Sequence, residues 1–148
     1  MTQVVVHETI AAPVSAVFAA LTDPEQSQAF EPDVIGVEYL SEVREAPGVR
    51  FRQTRRDHKG REQAYELEVR EYQRPERARM VTTVYGTEWD SLYTFEDQGG
   101  QTRVTLTMDA RSDKLGARVM NSLLRGMFRR GIAKHLAAAK VHLESGKG

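Results

Sequence analysis

The chain has 148 residues, with 21 Lys and Arg balanced by 21 Asp and Glu, and no cysteine. That length suits one domain with a real core, and zero formal net charge lacks the basic footprint of nucleic-acid binding. The absence of cysteine excludes disulfides, thiolate nucleophiles and cysteine metal sites, and it fits a reducing cytoplasm.

No apolar run reaches the length of a membrane span, and the N-terminal Met1-Thr-Gln-Val-Val-Val-His-Glu8 lacks a signal-peptide pattern. A cytoplasmic location without stable membrane insertion is therefore expected. Residues 3–10 read as a strand. Pro13 suits the first turn of a helix, where its missing N–H costs nothing, and Val14, Val17, Phe18 and Leu21 then give residues 14–22 one apolar face. Thr22-Asp23-Pro24 breaks that helix, and a second short helix or turn is expected within 24–30. From 35 to 111 the pattern is strands and tight turns, punctuated by Gly48, Gly60, Pro75, Gly86 and Gly99-Gly100.

Residues 113–143 read as a long helix capped by Ser112 or Asp113. Leu115, Val119, Leu123 and Met127, with Met120, Leu124 and Phe128, form a broad apolar face that Leu136, Ala139 and Leu143 extend. The basic run Arg125, Arg129, Arg130 and Lys134 reads as a solvated face. Residues 144–148 are expected to fray, and no linker or repeat divides the single domain 1–148.

Strand registers follow from pairing, because opposed residues in an antiparallel ladder share a face. A three-residue loop at His58-Lys59-Gly60 sets Val49 against Val69, Phe51 against Leu67, Gln53 against Tyr65 and Arg55 against Gln63. The other face then matches Arg50 with Glu68, Arg52 with Glu66 and Arg56 with Glu62. A one-residue slip exchanges the faces, so this agreement selects the register. A turn at Gly99-Gly100 pairs Phe95 with Val104, Tyr93 with Leu106, Ser91 with Met108 and Glu96 with Arg103. A turn at Gly86-Thr87 would pair Val84 with Trp89, Thr82 with Ser91 and Met80 with Tyr93. The resulting sheet has one apolar face and one charged, Thr-rich face, and the long helix is the only element large enough to cover the former.

Four segments carry a resemblance: Ile10-Ala-Ala-Pro13 with Val17-Phe18 and Leu21-Thr-Asp-Pro24; Glu71-Tyr72-Gln-Arg-Pro75; Tyr93-Thr-Phe95; and Gly99-Gly-Gln-Thr-Arg-Val104. Together with the element order they resemble the superfamily of START domains, polyketide cyclases and birch-pollen-allergen-like proteins. The resemblance implies an α+β helix-grip fold, a curved antiparallel sheet wrapped around a long C-terminal helix, with two short helices after the first strand. It also implies an internal cavity for a small hydrophobic or amphipathic molecule. Such folds serve carriage, aromatase/cyclase or dehydratase chemistry, or chaperone activation, and the fold does not choose among them.

The inner face mixes polar tips with greasy walls, a composition suited to binding and orienting a ligand. The candidate ligand-binding residues are Phe51, Gln53, Arg55, Tyr65, Leu67, Thr82, Trp89, Ser91 and Tyr93 on the sheet, with Met120 and Met127 on the helix. Arg55 either waits for an anionic ligand group or reaches water past the hairpin. Tyr65, Tyr93, Arg55 and Glu8 are the groups suited to proton transfer, and Glu8 has the alternative of a rim carboxylate.

His7, His58, His135 and His142 do not have metal-ligand spacing, so no metal is expected. Neither a Gly-rich phosphate loop nor a nucleophile elbow is present, so no cofactor is implied. The favoured reading is non-catalytic binding or carriage of a small amphipathic molecule, with a cyclase or dehydratase as the alternative.

Overall fold

The computed structural model describes residues 2–147. The elements are β1 (Thr2–Ile10), α1 (Val14–Thr22), α2 (Pro24–Ser27), β2 (Val34–Tyr39), β3 (Arg50–Arg56), β4 (Glu62–Gln73), β5 (Arg77–Val84), β6 (Thr87–Asp97), β7 (Thr102–Ser112), α3 (Leu115–Leu123) and α4 (Arg125–His142), followed by a π-helical turn (Leu143–Lys147). One seven-stranded antiparallel sheet has the order β1-β7-β6-β5-β4-β3-β2. α1 and α2 interrupt it after β1, and α4 returns over β1, giving the α+β helix-grip arrangement.

The β3–β4 register is the one selected by charge and apolar matching, from Arg50 opposite Glu68 to Arg56 opposite Glu62. Gly60 takes φ +80° in the loop, a conformation glycine adopts without a Cβ penalty. β6 and β7 also pair as expected, with Tyr93 opposite Leu106.

The β5–β6 hairpin departs from expectation. Its turn is Tyr85-Gly86, with φ of 51° and 80°, so Val84 faces Thr87, Thr82 faces Trp89 and Met80 faces Ser91. Both central residues of a type I′ turn need positive φ, and this placement leaves β-branched Thr87 buried in the strand. The correction moves each partner by two residues, so every side chain keeps its face.

A further register shift lies between Val69 and Glu71. The extra residue, Arg70, lets Val69 and Tyr72 serve the same side of a bent strand. Val69 joins Val49, Phe51 and Met80 in one apolar cluster, with Leu67 packed beside it. The larger cluster gathers Ile10, Val17, Phe18, Phe95, Leu106, Ile132 and Leu136. Phe18 sits at its centre, edge-on to Tyr72 at 5.3 Å and to Phe95 at 5.1 Å. The short helix α1 is thus a wedge of packing residues.

The long helix predicted for 113–143 is two helices, separated at Leu124, whose φ and ψ are −91° and 6°. Neither Ser112 nor Asp113 is its N-cap; Lys114 occupies that position without a side-chain cap. α4 buries Ile132, Leu136 and Ala139, whereas Leu115, Val119, Met120, Leu123 and Met127 are exposed.

The basic run is not uniformly a solvated face. Arg125 Nε donates to the Gln3 carbonyl at 2.8 Å, Arg129 Nη1 to Val5 at 2.9 Å and Lys140 Nζ to Thr9 at 2.8 Å. β1 is an edge strand, and these cations cover acceptors that would otherwise invite another strand. Glu144, at the start of the stretch expected to fray, accepts from the Ala11 amide and from Lys140. Met1 and Gly148 lie outside the described residues.

Candidate functional site

A chain of polar side chains runs from α4 to the β3–β4 hairpin, with Phe30 and Phe95 beside its His135–Tyr93 end and charged Asp57, Arg61 and Glu62 around its Arg55 end. β3 projects Gln53 and Arg55 into it, β6 projects Tyr93, the segment after α2 contributes Glu31 and Asp33, and α4 contributes His135. Arg55 Nη2 donates to Glu31 Oε2 at 3.1 Å, its Nη1 to Asp33 Oδ2 at 2.8 Å and its Nε to Gln53 Oε1 at 3.0 Å. The second oxygen of Glu31 bonds His135 Nδ1, and His135 Nε2 meets the Tyr93 hydroxyl at 3.0 Å.

Glu31 is buried, its side chain only 9% exposed. Burial alone would raise its pKa, but the His135 hydrogen bond and the charges of His135 and Arg55 overcome that penalty and hold it below the ordinary carboxylate value. An ionised carboxylate only accepts, so His135 Nδ1 carries a proton. With the ring neutral, Nε2 accepts from the Tyr93 O–H; with the ring carrying the charge that lowers the Glu31 pKa, Nε2 donates to the Tyr93 oxygen instead. Burial, reinforced by the Glu31 charge, pushes the Tyr93 pKa well above that of a free phenol, so its hydroxyl stays protonated and can donate. The arrangement can orient a polar ligand group and move a proton between a phenol and an imidazole backed by a carboxylate.

Arg55 opens onto a largely charged groove of about 650 Å³ at the β3–β4 hairpin end, shared with Asp57, Arg61, Glu62, Gln63, Tyr65 and Tyr85. Gln63 accepts from Tyr65 at 3.2 Å and donates to Tyr85 at 3.1 Å. A smaller hollow of about 140 Å³ lies beneath α1 and α2, between Tyr39, Phe51, Val69 and Tyr72.

The candidate residues therefore divide. Gln53, Arg55 and Tyr93 join one network, and Tyr65 lines the groove beside Arg55. Phe51 is buried in the smaller apolar cluster, against which Leu67 packs. Thr82 donates to the Glu66 carbonyl at 2.6 Å, and Trp89 meets Phe128 edge-on at 4.8 Å. Ser91 is half-buried opposite Met108. Met120 and Met127 are half exposed and belong to neither cluster. Glu8 shares the side of Val6 and Ile10, is half-buried and accepts from the Thr9 amide at 3.1 Å.

Sequence reasoning missed Glu31 and Asp33 and set His135 aside for want of metal spacing. The available signals were an acid beside Phe30 before a proline, and a histidine flanked by Ile132, Leu136 and Ala139 on the apolar stripe. Among the described residues no three His, Cys, Asp or Glu side chains are grouped to hold a metal ion, and no helix is long and apolar enough to cross a membrane.

No curated protein matches the sequence. Among solved structures, TTHA0849 from Thermus thermophilus superposes with a TM-score of 0.76 at 17% identity, covering 99% of both chains. Ara h 8.0201 gives 0.75 at 12% identity over 97% of both chains. The di-domain ARO/CYC BexL from the BE-7585A biosynthetic pathway gives 0.75 at 16% identity, over 98% of this chain and 47% of that one. These likenesses establish the fold. The family model for polyketide cyclase/dehydrase and lipid transport matches residues 1–144, and the chain belongs to that family.

Proposed function

We propose that this protein binds a small amphipathic molecule, with its apolar body on the concave face and its polar end at Arg55. The supporting observation is the ionised, buried Glu31, bonded to both Arg55 and His135. Burying a charge is costly unless it is fully paired, and here the pairing holds a guanidinium at the edge of a groove. Asp33 is the half-exposed partner of Arg55, so it is the contact an anionic headgroup displaces while Glu31 stays in place.

Titration with 1-anilinonaphthalene-8-sulfonate, an amphipathic anion, tests this reading. Saturable binding that weakens about tenfold in Arg55→Gln supports it. Non-saturable binding, or binding indifferent to Arg55→Gln and Tyr65→Ala, overturns it. Native mass spectrometry of gently purified protein gives an independent check through a co-purifying small molecule.

A second reading, cyclase or dehydratase chemistry, is favoured by the Tyr93–His135–Glu31 chain. Acetylacetone exchanging its C–H hydrogens in deuterated buffer is a suitable probe of enolisation. Exchange above the buffer rate that is lost in His135→Gln supports catalysis. A rate equal to buffer leaves binding as the function.

A further inference from the structure

Zero net charge conceals a strong segregation. Residues 114–143 contain seven Lys and Arg and no Asp or Glu, whereas residues 1–113 contain thirteen basic and twenty acidic residues. Six of the seven cations lie between Lys114 and Lys134, and among the described residues none of those six has a carboxylate partner within ion-pair distance; Arg125 and Arg129 bond neutral carbonyls, which leave their charge intact. The seventh, Lys140, pairs with Glu144.

The same stretch has its apolar side outward. α3 packs on β7 and β1, and the residue it buries is polar Asn121. Leu115 and Leu123 are 72% and 75% exposed, and Val119, Met120 and Met127 are each at least 50% exposed. At 100° per residue, Leu115, Val119, Leu123 and Met120 occupy one arc of α3, opposite Asn121. Arg118 flanks that arc.

We propose that this ridge docks on an anionic lipid surface. A helix with large apolar side chains on one side and cations beside them lies in the plane of a membrane interface, its apolar face in the headgroup boundary. An anionic lipid interface complements both features, taking the exposed Leu115 and Leu123 side chains into its boundary and answering the cations that have no carboxylate partner. A second copy is disfavoured, because pairing two such ridges brings like charges together. Association is peripheral and reversible, since no helix among the described residues spans a bilayer. The ridge stands apart from the ligand site, because none of its residues belongs to the Arg55 network.

Co-sedimentation with phosphatidylcholine vesicles, with and without phosphatidylglycerol, tests it. Binding is expected only with phosphatidylglycerol and weakens with added salt. The double variant Arg118→Gln/Arg130→Gln lowers the partition coefficient roughly thirtyfold, Leu123→Ser lowers it about tenfold, and Arg50→Gln on β3 leaves it unchanged. The ridge positions are exposed, so these variants retain the fold, with circular dichroism as the check. Absence of vesicle binding, or equal binding to both compositions, overturns the proposal. A dimer in sedimentation velocity that Leu123→Ser disperses reassigns the ridge to self-association. Retention on polyglutamate resin without vesicle binding reassigns it to an acidic protein; both overturn the lipid assignment.

Discussion

Glu31 and His135, 104 residues apart in the chain, share a hydrogen bond between Oε1 and Nδ1. It joins the segment after α2 to the middle of α4 and faces Arg55 on one side and Tyr93 on the other.

Glu31 makes stability depend on acid pH. Its folded pKa is depressed, so its contribution is complete above the ordinary carboxylate value of 4.5 and is lost as pH falls through the lower folded value. Glu31→Gln removes the charge and costs about 3 kcal/mol at neutral pH, because Arg55 and His135 lose their shared partner. Urea unfolding of both proteins across pH checks this: their difference narrows on acidification below 4.5. A constant difference contradicts the assignment.

Tyr93 is the phenol most resistant to base. Burial and the Glu31 charge raise its pKa, and burial with the charges of Asp23 and Glu25 raises that of Tyr39 to about 12. Absorbance titration of phenolate formation therefore shows late steps, and Tyr93→Phe removes the last. The same variant loses about 1 kcal/mol of stability through the His135 contact. Loss of an early step instead shows that Tyr93 is solvated.

Asp33 competes with the proposed anionic ligand for Arg55. Its contact is half exposed and of modest strength, so Asp33→Asn tightens anilinonaphthalene sulfonate binding about threefold. Fluorescence titration reads the change, and weaker binding contradicts the displacement model.

Arg125 and Arg129 protect the β1 edge. The double variant to Ala frees the Gln3 and Val5 carbonyls and costs roughly 1 kcal/mol per contact. It also increases association through the uncovered edge. Thermal unfolding and light scattering check the two effects separately.

Local chemistry made much of the scaffold readable. Pro13 and Asp23-Pro24 bounded α1, and the alternation of Arg on β3 with Glu on β4 left one register that satisfied both faces. The faces of β5 and β6 survived an incorrect turn because the error was an even number of residues. Gln53, Arg55 and Tyr93 were legible as inward-facing polar groups, since strand parity alone places them.

Tertiary structure decided what those groups meet. Glu31 and His135 lie on elements with no shared periodicity, and only the return of α4 across the sheet brings them together. Apolar spacing also predicted a covering face over 115–127, because periodicity identifies a stripe without saying what packs on it. The break at Leu124 and the burial of Asn121 turned that stripe outward. Short-range pattern thus determined strands, turns and faces. The charged site and the exposed ridge depended on contacts between distant segments, whose energies no local window contains.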